Sequence, residues 1–198
     1  MKKIITSLVV IFFVLNLKGQ EQGKIRVGLD VGLGILNRGI GVSGAFDVRY
    51  NILDNWNVGL KTNYGMLNKD IVNQSNISNK TSELVLSVLG VSDYYFINTP
   101  NKIVPYIGIG LGQNYFQNIM LSLNGSTQIV NYGIAIDEKF GGVLRGGFEF
   151  KHFGMALEYY IIPASDLVNS INWTVLGATK NSYANLTIGF YIGGGKWK

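Results

Sequence analysis

The stretch Ile25-Arg-Val-Gly-Leu-Asp-Val-Gly-Leu-Gly-Ile35 alternates without interruption. Ile25, Val27, Leu29, Val31, Leu33 and Ile35 are aliphatic, and the residues between them are Arg26, Gly28, Asp30, Gly32 and Gly34. Successive side chains of a β-strand point to opposite faces, so a period of two gives a strand with one apolar face and one polar face. A helix of the same residues would scatter the aliphatic groups around its axis.

The same pattern recurs outward from this stretch. Ile40 to Tyr50 sets Ile40, Val42, Phe46, Val48 and Tyr50 against Ser43, Ala45, Asp47 and Arg49. Trp56 to Met66 sets Trp56, Val58, Leu60, Tyr64 and Met66 against Asn57, Gly59, Lys61, Asn63 and Gly65. Glu83 to Phe96 is less regular, because Val85, Leu89 and Val91 fall on the face of Glu83, Ser87 and Asp93. Val104 to Tyr115, Phe140 to Phe150, Phe153 to Ile161 and Asn185 to Ile192 complete the series, with Arg145, Glu149 and Glu158 on their polar faces. These are eight segments of about ten residues, the length a tilted transmembrane strand needs.

Their connections alternate in length, except that Leu36–Gly39 breaks the pattern. Asn51–Asn55, Ile97–Lys102 and Lys151–His152 are short, whereas Leu67–Ser82, Phe116–Lys139 and Ile162–Ser182 are long. Short turns at one end and long loops at the other are the asymmetry of an outer-membrane barrel. The fold expected is therefore all-β, an eight-stranded antiparallel up-and-down transmembrane β-barrel, with both termini on the periplasmic side of a Gram-negative outer membrane. In the longest connection, the turn signal Asn124-Gly125 between apolar runs predicts a hairpin over Asn118–Ile136 that extends two barrel strands.

Two observations place the apolar face outward. The polar face carries Arg26, Asp30, Asp47, Arg49, Lys61, Glu83, Asp93, Arg145, Glu149 and Glu158, four basic and six acidic residues that can pair, among many glycines. An eight-stranded interior is just wide enough to be filled by such side chains, and glycine leaves them room. Tyr50, Trp56, Tyr94, Phe96, Phe148, Phe150 and Phe153 gather beside the short turns, as one interfacial girdle. A lumen plugged by paired charge is the resulting expectation.

Residues 1–20 read as an export signal. Lys2 and Lys3 precede an apolar run, Ile4 to Leu15, and Gly19 offers a small residue for cleavage. That leaves residues 21–198 as a single barrel domain. Removing Lys2, Lys3 and Lys18 from the 17 basic residues leaves 14 against 12 acidic ones, a formal +2. Nucleic acid is therefore not an expected partner. With no Cys, the chain has no disulfide, thiolate metal site or lipid-anchoring cysteine.

The tail Leu186-Thr-Ile-Gly-Phe-Tyr-Ile-Gly-Gly-Gly-Lys-Trp-Lys198, the run Phe140-Gly-Gly-Val-Leu-Arg-Gly-Gly-Phe148 and the segment Leu157-Glu-Tyr-Tyr160 resemble the outer-membrane β-barrel domain family common in Bacteroidetes. That family is related in architecture to OmpX and OmpA and includes PorT-like proteins linked to secretion. The resemblance implies the barrel fold and leaves function open. One departure is that Phe190 and Tyr191 are followed by a polar tail, whereas many outer-membrane proteins end on an aromatic residue that the assembly machinery reads.

No catalytic, metal or cofactor site is expected. His152 is the only histidine and falls in a short turn, where it reads as a solvated turn residue, and one histidine cannot build a His-based metal site. Gly108, Gly110 and Gly112 lie within a strand with no following helix, which argues against a phosphate loop. The expected function is non-enzymatic, structural or adhesive, and carried by the external loops. A narrow pore or transporter, or an accessory of a secretion system, are the alternatives. The expected partners are outer-membrane lipid, the barrel-assembly machinery and an external or envelope protein.

Overall fold

The computed structural model describes residues 21–36, 39–72, 78–97, 103–116, 119–122, 131–134, 138–168 and 175–195. In 36, 67–72, 78–83, 119–122, 131–134, 166–168 and 175–179 only the backbone is described. The strands are β1 (Ile25–Leu36), β2 (Gly39–Leu53), β3 (Trp56–Val72), β4 (Ser78–Tyr95), β5 (Ile103–Phe116), β6 (Ile119–Ser122), β7 (Asn131–Ile134), β8 (Lys139–Phe150), β9 (Phe153–Ile161), β10 (Ser165–Val168), β11 (Val175–Thr179) and β12 (Tyr183–Gly193).

Eight of them close a barrel in the order β1-β12-β9-β8-β5-β4-β3-β2, every pair antiparallel. These are the eight segments read from the sequence. Closure between β1 and β12 leaves the barrel wall no free edge, which is what a sheet in a lipid environment requires. The apolar face does look outward: Leu29, Val31, Ile40, Leu60, Ile107, Leu111, Leu144 and Leu157 are exposed, Val31 to 70%. All seven girdle aromatics are exposed too.

Beyond the barrel the structure departs from the sequence reading. β3 and β4 run on, pairing from Leu67↔Glu83 to Val72↔Ser78, so most of the predicted loop Leu67–Ser82 is a two-stranded ribbon. Polar Asn, Ser, Thr and Lys without alternation pass for loop in a sequence, yet the backbone there is paired throughout. The predicted hairpin exists as β6–β7, a two-stranded sheet in line with β5 and β8: its pairing carries on the register of the β5–β8 ladder, which ends at Asn114↔Lys139, and residues 117–118 and 135–137 between the two lie outside the described ones. Its register, Ile119↔Ile134 to Ser122↔Asn131, is symmetric about positions 126 and 127 and not about Asn124-Gly125. Residues 123–130 lie outside the described ones. A further small sheet, β10–β11, was not expected.

The opposite rim, the turn end, is tightly tied. Asn51 donates its backbone N–H to Lys24 O (2.9 Å) and accepts from Gly23 N (2.8 Å). Its side-chain Nδ2 donates to Gly194 O (2.9 Å) and Glu21 O (3.1 Å). Gly193, Gly194 and Gly195 all have positive φ (89°, 84° and 81°), a region open to glycine at no steric penalty, and this lets the tail curl against Glu21. In the tight turn between β8 and β9, Lys151 has φ 54°, and its carbonyl accepts a hydrogen bond from the Tyr191 hydroxyl.

Candidate functional site

Nine of the ten charged residues predicted to line the lumen do so and pair there. Lys61 stands between Asp30 (3.1 Å) and Glu158. Arg145 lies 3.4 Å from Glu158 and 3.7 Å from Asp93. Arg49 joins Asp93 to Asp47, the latter at 2.9 Å. These contacts make one chain, Asp30–Lys61–Glu158–Arg145–Asp93–Arg49–Asp47, across six strands. A second group lies nearer the turn end. Arg26 pairs with Glu149 at 2.9 Å, and the Tyr95 hydroxyl accepts from Arg26 Nη2 and donates to Glu149 Oε1, both at 2.8 Å. The Arg26 guanidinium also stacks 4.6 Å from the Tyr191 ring centre.

Lys61, Asp93 and Glu158 are fully buried. A buried charge is tolerated only with a partner and hydrogen bonds, so the inward parity of β1, β2, β3, β4, β8 and β9 has to deliver both signs to one level. It does so by placing long side chains opposite glycine. Arg49 faces Gly59, Asp93 and Arg145 both flank Gly108, Asp47 faces Gly28, and Asp30 faces Gly189. A Cβ on Gly108 would meet the Asp93 carboxylate, and one on Gly189 the Asp30 carboxylate.

The tenth predicted residue, Glu83, is not brought to this cluster. Its side chain lies outside the described residues, and its backbone pairs with Leu67 on the ribbon, ten positions along β4 from Asp93. At about 3.3 Å per residue that is roughly 33 Å.

Charge does not close the lumen by itself, which corrects the expectation of an interior plugged by charge alone. Toward the loop end the lumen is filled by Val85, Leu89, Val91, Phe116, Val143, Tyr160, Ile162 and Tyr183. Tyr160 and Tyr183 stack with centroids 4.5 Å apart and planes 5° from parallel. Asn63 Nδ2 donates to the Tyr183 hydroxyl (3.0 Å), and Ser87 to Asn114 Oδ1 (2.7 Å). The irregularity noted in the fourth segment, with Val85, Leu89 and Val91 on the polar face, is this layer. Tyr95 and Tyr106 were missed as lumen residues, although their parity with Asp93 and Gly108 is the signal that finds them.

Among the charged groups, Arg26, Asp47, Arg145, Glu149 and Tyr191 surround a cavity of about 20 Å³. That is room for about one water molecule and not for a passage. His152 is half-buried and not a solvated turn residue: its ring packs edge-on against Phe190 (6.1 Å) and Tyr191 (5.8 Å).

A closed eight-stranded antiparallel barrel with an aliphatic exterior and a charged interior defines the class of small outer-membrane β-barrels. Solved structures bear the fold out. The chain superposes on OprG from Pseudomonas aeruginosa with a TM-score of 0.62 at 14% identity, covering 89% of this chain and 99% of that one. On Neisserial surface protein A the TM-score is 0.53 at 13% identity, with 86% and 97% covered. No family model and no curated protein matches the sequence.

Proposed function

We propose that this protein is a non-enzymatic outer-membrane barrel that works as a surface platform, structural or adhesive, through the sheets beyond its loop end. The carrying observation is the contrast between a filled lumen and an extended exterior. Among the described residues the lumen is packed by the ion network at one end and by Val85, Leu89, Val143, Tyr160 and Tyr183 at the other, while the β3–β4 ribbon continues the wall as paired backbone from Leu67↔Glu83 to Val72↔Ser78. In the ribbon β3 has lost the β2 ladder, which ends at Val42↔Met66, and β4 has lost that of β5, which ends at Val85↔Phe116. Among the described residues these outer edges of the ribbon have no ladder partner, and strand edges of that kind offer N–H and C=O groups to an added strand, a recurrent mode of protein recognition.

In this reading residues 1–20 are a cleaved export signal, the termini lie in the periplasm and the barrel-assembly machinery inserts the chain. Kinship with the Bacteroidetes barrel family is part of this reading and rests on the sequence of the glycine-rich tail alone.

The test compares cells producing the full chain with cells whose ribbon, residues 67–83, is replaced by a tight turn. Both proteins should migrate as folded, heat-modifiable barrels, and only the full chain should promote attachment to a protein-coated surface. Equal attachment would remove the adhesive reading. A stable, ion-selective conductance of the wild type in a planar bilayer would favour the pore.

A further inference from the structure

We propose that the break in the wall between β9 and β12, at the loop end, binds an outer-leaflet phosphorylated glycolipid. The inference rests on the loop end facing outward from the cell, as in the function proposed above. The β9–β12 ladder stops at Tyr160↔Tyr183, and backbone pairing resumes only at Ser165↔Thr179 between β10 and β11. Pro163 lies in the gap and has no N–H to donate. Side chains stitch the two segments together instead. Ser182 Oγ accepts from Ile162 N and donates to Ile162 O, both at 3.1 Å. Asn181 Nδ2 donates to Pro163 O and to Ser165 Oγ, both at 2.7 Å.

Where the ladder is interrupted, a cavity of about 650 Å³ opens against the end of β1. Its lower wall is Ile35, Ala184 and Tyr159, which are register neighbours on the outer face of three adjacent strands. Ala184 is the small residue between two large ones, so the three make a slot in the lipid-facing band. The upper wall carries Ala164, Ser182 and Lys180. Lys180 is exposed and, among the described residues, is the one charged side chain lining the cavity.

A slot walled by Ile35, Ala184 and the Tyr159 ring that ends in a cation, at the border of the apolar band, has the chemistry of an amphiphile with an anionic head. An acyl chain would lie over Ala184 between Ile35 and Tyr159, with a phosphate at Lys180. A lysine at a membrane border contributes enough toward an anionic head group to change affinity about fivefold.

The experiment titrates the full barrel, folded in detergent, with diphosphorylated lipid A and with the same lipid stripped of its phosphates, reading retained lipid by native mass spectrometry. Wild type should retain the phosphorylated form preferentially. Lys180→Glu should weaken it about fivefold and leave the stripped lipid unchanged. Ala184→Trp, which fills the slot, should weaken both. Heat-modifiable migration checks that each variant is folded. Equal retention by wild type and Lys180→Glu, or no preference for phosphate, would overturn the site. Because the chain has no cysteine, Lys180→Cys reports orientation separately. Labelling by a membrane-impermeant maleimide on intact cells supports the outer leaflet. Labelling only after permeabilisation would overturn the outer-leaflet lipid, and with it the proposed orientation, whatever the slot retains in detergent.

Discussion

The two halves of the lumen are lined by the same eight strands, yet they are closed in different ways. In the turn half, four cations and five carboxylates interlock opposite glycines. In the loop half, Val85, Leu89, Val91, Val143 and stacked Tyr160 and Tyr183 fill the same bore with hydrocarbon and rings. The difference shows that inward parity asks only for volume. Charge is admissible where partners converge, and aliphatic groups serve equally where they do not. It also shows where the vulnerability lies. A hydrocarbon layer loses contacts when truncated, whereas an ion network that loses one partner leaves an uncompensated buried charge.

The sharpest way to break that contrast is Lys61→Met, which leaves Asp30 and Glu158 without their shared cation. It should destabilise the barrel by about 3–5 kcal/mol, read as a lower urea midpoint in detergent. Replacing Asp30 by Asn and Glu158 by Gln in the same background should restore much of the loss. A loss below about 1 kcal/mol would place this pair with weak surface bridges and end the distinction between the halves.

Leu89→Ala probes the other half. Leu89 is fully buried in the apolar layer, so truncation should cost about 3 kcal/mol through lost transfer energy and the cavity left behind. Unlike Lys61→Met, it has no polar partner whose neutralisation could rescue it. Rescue by the Asn and Gln exchanges would show that the two halves are coupled.

Gly59→Ala tests the large-against-small packing of the charged half. A Cβ there meets Val48 O and the Arg49 backbone, which cannot swing aside like a side chain. Roughly 2 kcal/mol of destabilisation is expected from this overpacking, measured in the same urea titration. The contrasting site is Gly44 on the outer face, where a Cβ meets only Asp30 O at 3.9 Å and Ala should be nearly neutral.

The smallest effect belongs to the exterior. Trp56 Nε1 donates to Ser92 Oγ at 2.7 Å on the girdle. Trp56→Phe removes that bond and keeps the ring, so the change should be about 1 kcal/mol. A larger loss would mean that the girdle, and not the lumen, dominates stability.

The eight barrel strands were legible because period two is written into the residues themselves, and Ile25–Ile35 shows it without a fault. The outward aliphatic face and nine inward charges followed from parity, since a strand has only two faces. Which cation meets which carboxylate was not legible: Lys61 and Glu158 are 97 residues apart, and only the register around the closed barrel sets them side by side. The division of the lumen into two halves was hidden for the same reason. Val85, Leu89 and Val91 looked like faults in a pattern until Val143, Tyr160 and Tyr183 arrived opposite them from distant strands. The β3–β4 ribbon escaped as well, because its residues carry no apolar alternation and backbone pairing does not require one. The sequence by itself determined the strands and their two faces, through local stereochemistry. Closure, register and the partners inside the bore were decided by the tertiary structure, because they depend on contacts between residues far apart in the chain.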